Sequence, residues 1–170
     1  MYSNELAKAM KWLGEKQDTV FLGQQVRYPG NVLFRTLSDV PMKKRIELPI
    51  FEDTQLGMGI GMSLVGKVPI SIYPRMNFLL CAMNQLRNHL DLMETYSDGQ
   101  FKPKVIVRVA VGSIKPVNPG VQHSGDYPLV LENVRIIHLK EEWNILPAYQ
   151  EAYYSKRSTI LIEYADLFNS

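Results

Sequence analysis

Apolar residues recur along the chain at two different spacings, which predict an alternation of helices and strands. In residues 4–16, Leu6, Met10 and Leu13 recur at helical spacing, so this segment is predicted to be an amphipathic helix. Short apolar runs that are rich in β-branched residues are typical of buried strands. The predicted strands are residues 19–22, 46–50, 69–73, 104–110, 134–139 and 159–164.

Helices are predicted between most of these strands. They span residues 54–66, 77–94 and 142–155. We expect Asp53 or Thr54 to cap the first of them. A segment rich in glycine and proline, residues 112–128, has no periodicity and is predicted to be irregular. Strands that alternate with helices indicate an α/β fold with three layers (α/β/α) and a mostly parallel central sheet, and the length fits a single domain over residues 1–170.

The predicted helix at residues 54–66 has an unusual composition. Gly57, Gly59 and Gly61 lie among apolar residues, with almost no charge on any face. A glycine inside a helix costs about 1 kcal/mol relative to alanine. Three of them therefore predict a helix whose backbone lies close to another surface, and we expect this helix to take part in a subunit interface.

Composition and charge limit the classes of partner. The chain has 170 residues, 46% hydrophobic and 21% charged, with a formal net charge of +2, which favours neither nucleic acid nor a membrane surface as a partner. The single cysteine, Cys81, forms no internal disulfide, which favours a reducing compartment. The first residues are polar, and no apolar run approaches the roughly 20 residues of a membrane span. We therefore expect a cytoplasmic location.

Few residues combine the chemistry and the placement that a site needs. The chain has no phosphate-binding loop, dinucleotide-binding fingerprint, metal-ligand spacing or nucleophile elbow. Glu52 follows a predicted strand and precedes the glycine-rich helix, and His123 lies in the predicted loop, where sites of parallel sheets are found. Taken singly, each has an ordinary explanation: Glu52 as a helix cap or solvated charge, His123 as an exposed polar residue, and Phe78 as core packing. His89 and His138 are predicted to be structural.

Several short motifs, however, follow one another in a specific order. They are Pro49-Ile50-Phe51-Glu52, the glycine-rich helix, Gly66-Lys67-Val68-Pro69-Ile70, Asn77-Phe78, Gln85 with Asn88, a V-I-V-R strand, Gly112, and Gln122-His123-Ser124. This order resembles the pyrimidine-binding domain in the beta chain of 2-oxo acid dehydrogenase first components. Transketolase and deoxyxylulose-phosphate synthase carry similar domains. The resemblance covers the chain from about Thr19 to Phe168.

The resemblance implies a cofactor, thiamine diphosphate, and roles for three residues. Glu52 would hydrogen-bond the ring nitrogen N1′ of the aminopyrimidine and so activate its 4′-amino group to remove the thiazolium C2 proton. Phe78 would stack on the pyrimidine ring. His123 would face the substrate. The cofactor supplies the electron sink, while the protein positions it.

The chain departs from the family pattern in three ways. In the family, another domain holds the diphosphate and its magnesium through a G-D-G motif followed by an asparagine, and no such motif is present here; Asp98-Gly99 lies in a predicted turn and is not a substitute. Beta chains also continue into a C-terminal domain, whereas this sequence stops after residues 159–164. In the third departure, the residues after His123-Ser124 differ from those of the dehydrogenases.

These departures lead to the main hypothesis. We expect a pyrimidine-binding subunit of a split enzyme that acts on 2-oxo acids or ketoses, with an active site shared with a diphosphate-binding partner subunit that holds the magnesium. The assembly would be a hetero-oligomer, or a homodimer in isolation. The alternative is a non-catalytic relic that serves as a binding or regulatory module, although such a relic has no reason to keep Glu52, Phe78 and His123 together. A self-contained α/β enzyme is disfavoured because no second catalytic group is evident.

Overall fold

A parallel sheet organises the structure, a computed structural model that describes residues 1–114 and 118–169 (of Asn169, the backbone). Within these ranges six strands form one sheet in the order β2-β1-β3-β4-β6-β5, and every neighbouring pair is parallel. The strands are β1 Thr19–Gly23, β2 Arg45–Glu47, β3 Val68–Tyr73, β4 Ile106–Val111, β5 Arg135–Leu139 and β6 Thr159–Tyr164. Part of the predicted loop 112–128, residues 115–117, lies outside the described residues.

Helices connect the strands and cover both faces of the sheet. The α-helices are α1 Tyr2–Gly14, α2 Val32–Arg35, α3 Glu52–Leu64, α4 Met76–Leu80, α5 Met93–Tyr96, α6 Val121–Ser124 and α7 Ile145–Tyr154. A π-helix spans Gln85–Asp91, and short 3₁₀ helices span Met42–Lys44, Glu142–Asn144 and Ala165–Asn169. None of the helices in the described part of the chain is long and apolar enough to cross a membrane.

The strands alternate their side chains between two hydrophobic cores, which confirms the three-layer α/β fold. In β4, Ile106 and Ala110 point to a core formed with α1 and α7. Val107 and Val109 point to a second core, formed with α3, α4 and the π-helix. Because both faces are covered, the strands read as nearly continuous apolar runs, as parallel strands usually do.

Most predicted boundaries differ from those observed by a few residues, and two of these differences lie next to Glu52. Strand β2 ends at Glu47 rather than at residue 50, because Pro49 has no N–H to continue the ladder. Helix α3 begins at Glu52, not at residue 54, since the amide of Gln55 already donates to the carbonyl of Phe51 (2.8 Å). The predicted cap at Asp53 or Thr54 is therefore wrong: both residues lie within the first turn, and no side chain caps the helix.

The prediction of one long helix over residues 77–94 is also wrong, since the segment is divided into α4, the π-helix and α5. The apolar period runs through all three pieces, so the sequence pattern gave no sign of a break. The widened turn places the Asp91 carboxylate, which is fully buried, against the backbone amides of Glu132, Asn133 and Val134, at 2.7–3.1 Å. This tie holds the segment before β5 against the helix.

A buried ion pair joins β4 to β6 inside the first core. Nε and Nη2 of Arg108 donate to the two carboxylate oxygens of Glu163 at 2.6 and 2.9 Å, and both side chains are 0% exposed. The Tyr149 hydroxyl of α7 donates to the same carboxylate at 2.5 Å. Burial, and then the Glu163 charge, raise the Tyr149 pKa well above its ordinary value, so this hydroxyl remains a donor.

Helix α1 is attached to the far side of the sheet through Tyr2. Its hydroxyl donates to the carbonyl of Leu139 at 2.6 Å, and it accepts from the amide of Tyr164 at 3.2 Å. Leu139 ends β5 and Tyr164 ends β6, so one side chain ties the two strands together at their carboxyl ends.

The buried pair makes a prediction about stability. Glu163→Gln should lower the free energy of unfolding by about 3–5 kcal/mol, because it leaves the Arg108 charge buried without a counter-ion. Urea denaturation of the purified chain measures this. The matched control is Glu151→Gln, which breaks the exposed pair with Arg135 and should cost no more than about 1 kcal/mol. Equal stability of both variants would show that the buried pair is not needed.

Candidate functional site

A cleft of about 420 Å³ opens at the carboxyl ends of the strands. It is lined by residues that follow β1, β3, β4 and β6, together with Phe78 from α4. Because the strands are parallel, these segments leave the sheet at the same edge. We call it the carboxyl-edge cleft; the strand-following residues used below are Gln24, Pro74, Arg75, Gly112, Ser113 and Ala165.

Glu52 lies beside this cleft as the first residue of α3. Its side chain is half-buried, and its carboxylate accepts a hydrogen bond from Nε2 of Gln24 at 3.1 Å. The hydroxyl of Tyr73, at the end of β3, donates to the Glu52 carbonyl at 3.2 Å. Burial raises the pKa of Tyr73, so its hydroxyl stays protonated and continues to donate. Glu52 is thus held between the ends of β1 and β3.

The start of α3 is pinned to the sheet by a buried amide. Nε2 of Gln55 lies 3.0 Å from both Oγ of Ser71 and the carbonyl oxygen of Ile72. Gly23, the last residue of β1, lies beside Ile72 of β3. The two backbones are so close that a Cβ added to Gly23 would stand 2.6 Å from the Ile72 carbonyl oxygen. A glycine is therefore required where β1 ends, directly before Gln24. The close approach fixes the distance between the two strands that position Glu52.

Phe78 and His123 lie in contact with each other. Their ring centroids are 5.8 Å apart, and the planes meet at 71°, an edge-to-face arrangement. Phe78 is half-buried on α4 and lines the cleft, while His123 lies on α6. The two rings therefore form one aromatic wall between a helix and a loop that are far apart in sequence.

The contacts of His123 indicate which tautomer of its neutral ring is present. Nδ1 lies 3.3 Å from the side-chain oxygen of Asn77, which can only accept. Nε2 lies 3.2 Å from the amide nitrogen of Gln122, which can only donate. Both contacts are satisfied when the ring carries its proton on Nδ1. The Nε2 lone pair then accepts a hydrogen bond from Gln122, which is exposed.

The loop that carries His123 is anchored at several points. The Tyr164 hydroxyl lies 3.2 Å from the Asp126 carboxylate and 2.7 Å from Nδ1 of His138. Burial, and then the Asp126 charge, raise the pKa of Tyr164 to about 12, so the hydroxyl donates to Asp126. His138, predicted to be structural, then donates from Nδ1 to the Tyr164 oxygen. These contacts tie the loop to β5 and β6.

Arg75 is a residue that the sequence reasoning missed. It follows β3 directly after Pro74, and its Nη1 lies 3.2 Å from the carbonyl of Gly112 and 3.4 Å from that of His123. Gln24 was missed as well. Each follows the end of a predicted strand by two residues, so the rule that drew attention to Glu52, applied to every strand end, would have found them.

The structure brings the predicted residues to one side of the molecule in two groups. Phe78 and His123 touch, whereas Glu52 is linked to the cleft through Gln24, which lines it. Glu52 does not directly follow a strand, because β2 ends five residues earlier. Across residues 1–114 and 118–169, no three His, Cys, Asp or Glu side chains are grouped so that they could hold a metal ion.

Curated proteins similar to the chain are beta subunits of pyruvate dehydrogenase. The Cyanidium caldarium pyruvate dehydrogenase E1 component subunit beta is 24% identical over 164 residues, which is 92% of this chain and 49% of that protein. A chloroplastic subunit beta-3 from Arabidopsis thaliana is 29% identical over 127 residues, 73% of this chain and 31% of its own length. The chain thus spans half or less of these relatives. No family model matches.

Solved structures share the fold. A split-gene transketolase, described as an inactive beta4 tetramer, superposes with a TM-score of 0.71 at 19% identity, covering 94% of this chain and 50% of that one. The 2-oxoglutarate:ferredoxin oxidoreductase of Magnetococcus marinus gives a TM-score of 0.57 at 9% identity, with 98% and 29% coverage. Together with the sequence relatives, they confirm the expected resemblance: over most of its length the chain is similar in sequence to pyruvate dehydrogenase E1 beta subunits, and it has the fold of the transketolase pyrimidine-binding domain.

Proposed function

We propose that this chain is the pyrimidine-binding subunit of a split thiamine-diphosphate enzyme that acts on 2-oxo acids or ketoses. The observation that carries the proposal is that the Phe78–His123 pair and Glu52, which is linked to the cleft through Gln24, lie beside the same carboxyl-edge cleft. The proteins to which the chain is similar belong to thiamine-diphosphate enzymes, which supports the choice of cofactor.

The residues present fit an aminopyrimidine. Glu52 offers a carboxylate that is fixed through its backbone by Tyr73 and through its side chain by Gln24. Phe78 offers a half-buried ring at the cleft wall, where a flat heterocycle can pack against it. When bound, the cofactor would supply a carbanion-stabilising thiazolium. The chain itself would exchange a proton between Glu52 and N1′, exclude water with Phe78, and present His123 to the substrate.

The remaining half of the site is assigned to a partner. We propose that a diphosphate-binding subunit holds magnesium and the diphosphate, because the chain carries no G-D-G motif. The isolated chain would then be inert and would associate with itself, as the name of the inactive beta4 tetramer of split-gene transketolase suggests for that protein. The glycine-rich helix α3 is the surface we propose for assembly, since Gly61 and Leu64 in its last turn and Val65 directly after it are exposed. The cytoplasmic location stays a prediction; some relatives are chloroplastic.

Cofactor binding tests the proposal and separates it from a non-catalytic module. Calorimetric titration with thiamine diphosphate and Mg²⁺ should show binding to the complex with the diphosphate-binding subunit, and none to the chain by itself. In that complex Glu52→Gln should slow exchange of the C2 proton by at least about 100-fold, since an amide cannot exchange a proton with N1′. A folded complex that binds no cofactor would favour the module, and binding to the isolated chain would contradict the shared site.

A second prediction concerns the aromatic wall. Phe78→Ala should weaken binding of thiamine diphosphate to the complex about tenfold, because a buried stacking face is lost. The matched control is Phe101→Ala, which removes an exposed ring from the segment before β4, at the opposite edge of the sheet. Fluorescence titration measures both variants. Equal affinity of Phe78→Ala and the wild type would show that the ring does not pack on the cofactor.

A further inference from the structure

The guanidinium group of Arg75 uses only part of its hydrogen-bonding capacity within the described residues. Its Nη1 is shared by two backbone carbonyls, those of Gly112 and His123, from segments that are separate in sequence. Neither Nε nor Nη2 forms a hydrogen bond to the described residues. A guanidinium carries five N–H donors in a planar fork, so most of its donors are left for another acceptor.

The surroundings of Arg75 favour an anion. Of the described residues that line the carboxyl-edge cleft, Arg75 alone has a charged side chain, and the ion pairs of residues 1–114 and 118–169 do not include it. Gln24, Asn31 and Ser113 contribute further polar groups to the cleft. Arg75 is half-buried, so its charge is screened by water less than that of an exposed arginine.

Carboxylates beside the cleft are engaged by other donors. The Glu52 carboxylate accepts from Gln24. Asp166 lies behind Gly112, where its Oδ2 is 3.0 Å from the place an added Cβ would take, and its Oδ1 accepts from the amide of Ile114 at 2.7 Å. Neither forms an ion pair with Arg75. The positive charge therefore remains available on the cleft side.

We propose that Arg75 binds the anionic group of the substrate and so restricts the enzyme to anionic substrates. This inference rests on the proposed function for its meaning as substrate selection. The shared chemistry is a carboxylate or a phosphate monoester, each of which matches the fork of a guanidinium with two oxygens. The first would come from a 2-oxo acid and the second from a phosphorylated sugar. Neutral carbonyl compounds of the same shape lack the group that Arg75 recognises.

Binding to the full chain by itself tests this without thiamine diphosphate or a partner. The chain, labelled with ¹⁵N, is titrated at constant ionic strength with pyruvate and with its neutral ester methyl pyruvate, and separately with ribose 5-phosphate and with ribose. The readout is the Nε–H signal of Arg75. We expect saturable shifts with pyruvate, with ribose 5-phosphate or with both, and no shift with either neutral compound. The anion that binds identifies which of the two sources applies.

Variants locate the site. Arg75→Gln should weaken anion binding by at least about tenfold, as expected for the loss of a charged hydrogen-bonding group. Arg75→Lys keeps the charge but loses the planar fork, so its affinity for the anion should lie between those of the wild type and Arg75→Gln. The control Arg157→Gln removes an exposed arginine at the opposite edge of the sheet, before β6, and should bind as the wild type does.

Three results would overturn the inference: no saturable shift with either anion, equal shifts with the neutral compounds, or unchanged affinity in Arg75→Gln. Thermal unfolding of each variant checks that it is folded. If Arg75→Gln does not fold, the comparison of anionic and neutral compounds on the wild type decides by itself. The two proposals can also fail separately. If the chain binds anions but its complex with the partner binds no thiamine diphosphate, the anion site stands and the proposed function is rejected.

Discussion

The common direction of the six strands is the constraint on which the rest of the structure depends. In a parallel sheet the chain must return to the starting edge after every strand, so each carboxyl end opens at the same side. Residues from Gln24 to Ala165, spread over most of the sequence, consequently line one cleft. No local interaction could collect these side chains.

A second constraint lies just beneath that cleft. Arg108 and Glu163 belong to the neighbouring strands β4 and β6, which continue into Gly112 and Ala165 at the cleft. Burying two charges is costly, and the cost is offset only when the geometry of the pair is well kept. The pair therefore favours one register of the two strands, and Tyr149 fastens the same carboxylate to α7. The floor of the cleft is built to be rigid, while its walls are loops and short helices.

Much of the fold could be predicted from the sequence, because strands buried on both faces are apolar runs and helices repeat their apolar residues at a different period. The break in the helix after α4 could not be predicted, because the apolar period continues across it. Its cause lies some forty residues later, where backbone amides donate to the Asp91 carboxylate. Glu52 and Phe78 were predicted as site residues from an ordered set of motifs, and their roles stay a prediction. Arg75 and Gln24 were missed because an isolated arginine or glutamine carries no pattern, and their meaning comes from the strands they follow.

Tyr2 has a consequence for how the chain reaches this structure. Its hydroxyl bonds to groups 137 and 162 residues away, at the ends of β5 and β6. Contacts so distant in sequence form late, because the intervening chain must first be ordered, and folds rich in them form slowly. Helix α1 is synthesised before β5 and β6, yet its Tyr2 hydroxyl bonds to the ends of these two strands. Until α7 and these strands are in place, the apolar face of α1 lacks part of its native contacts, and this interval is where a chaperone would have most to protect.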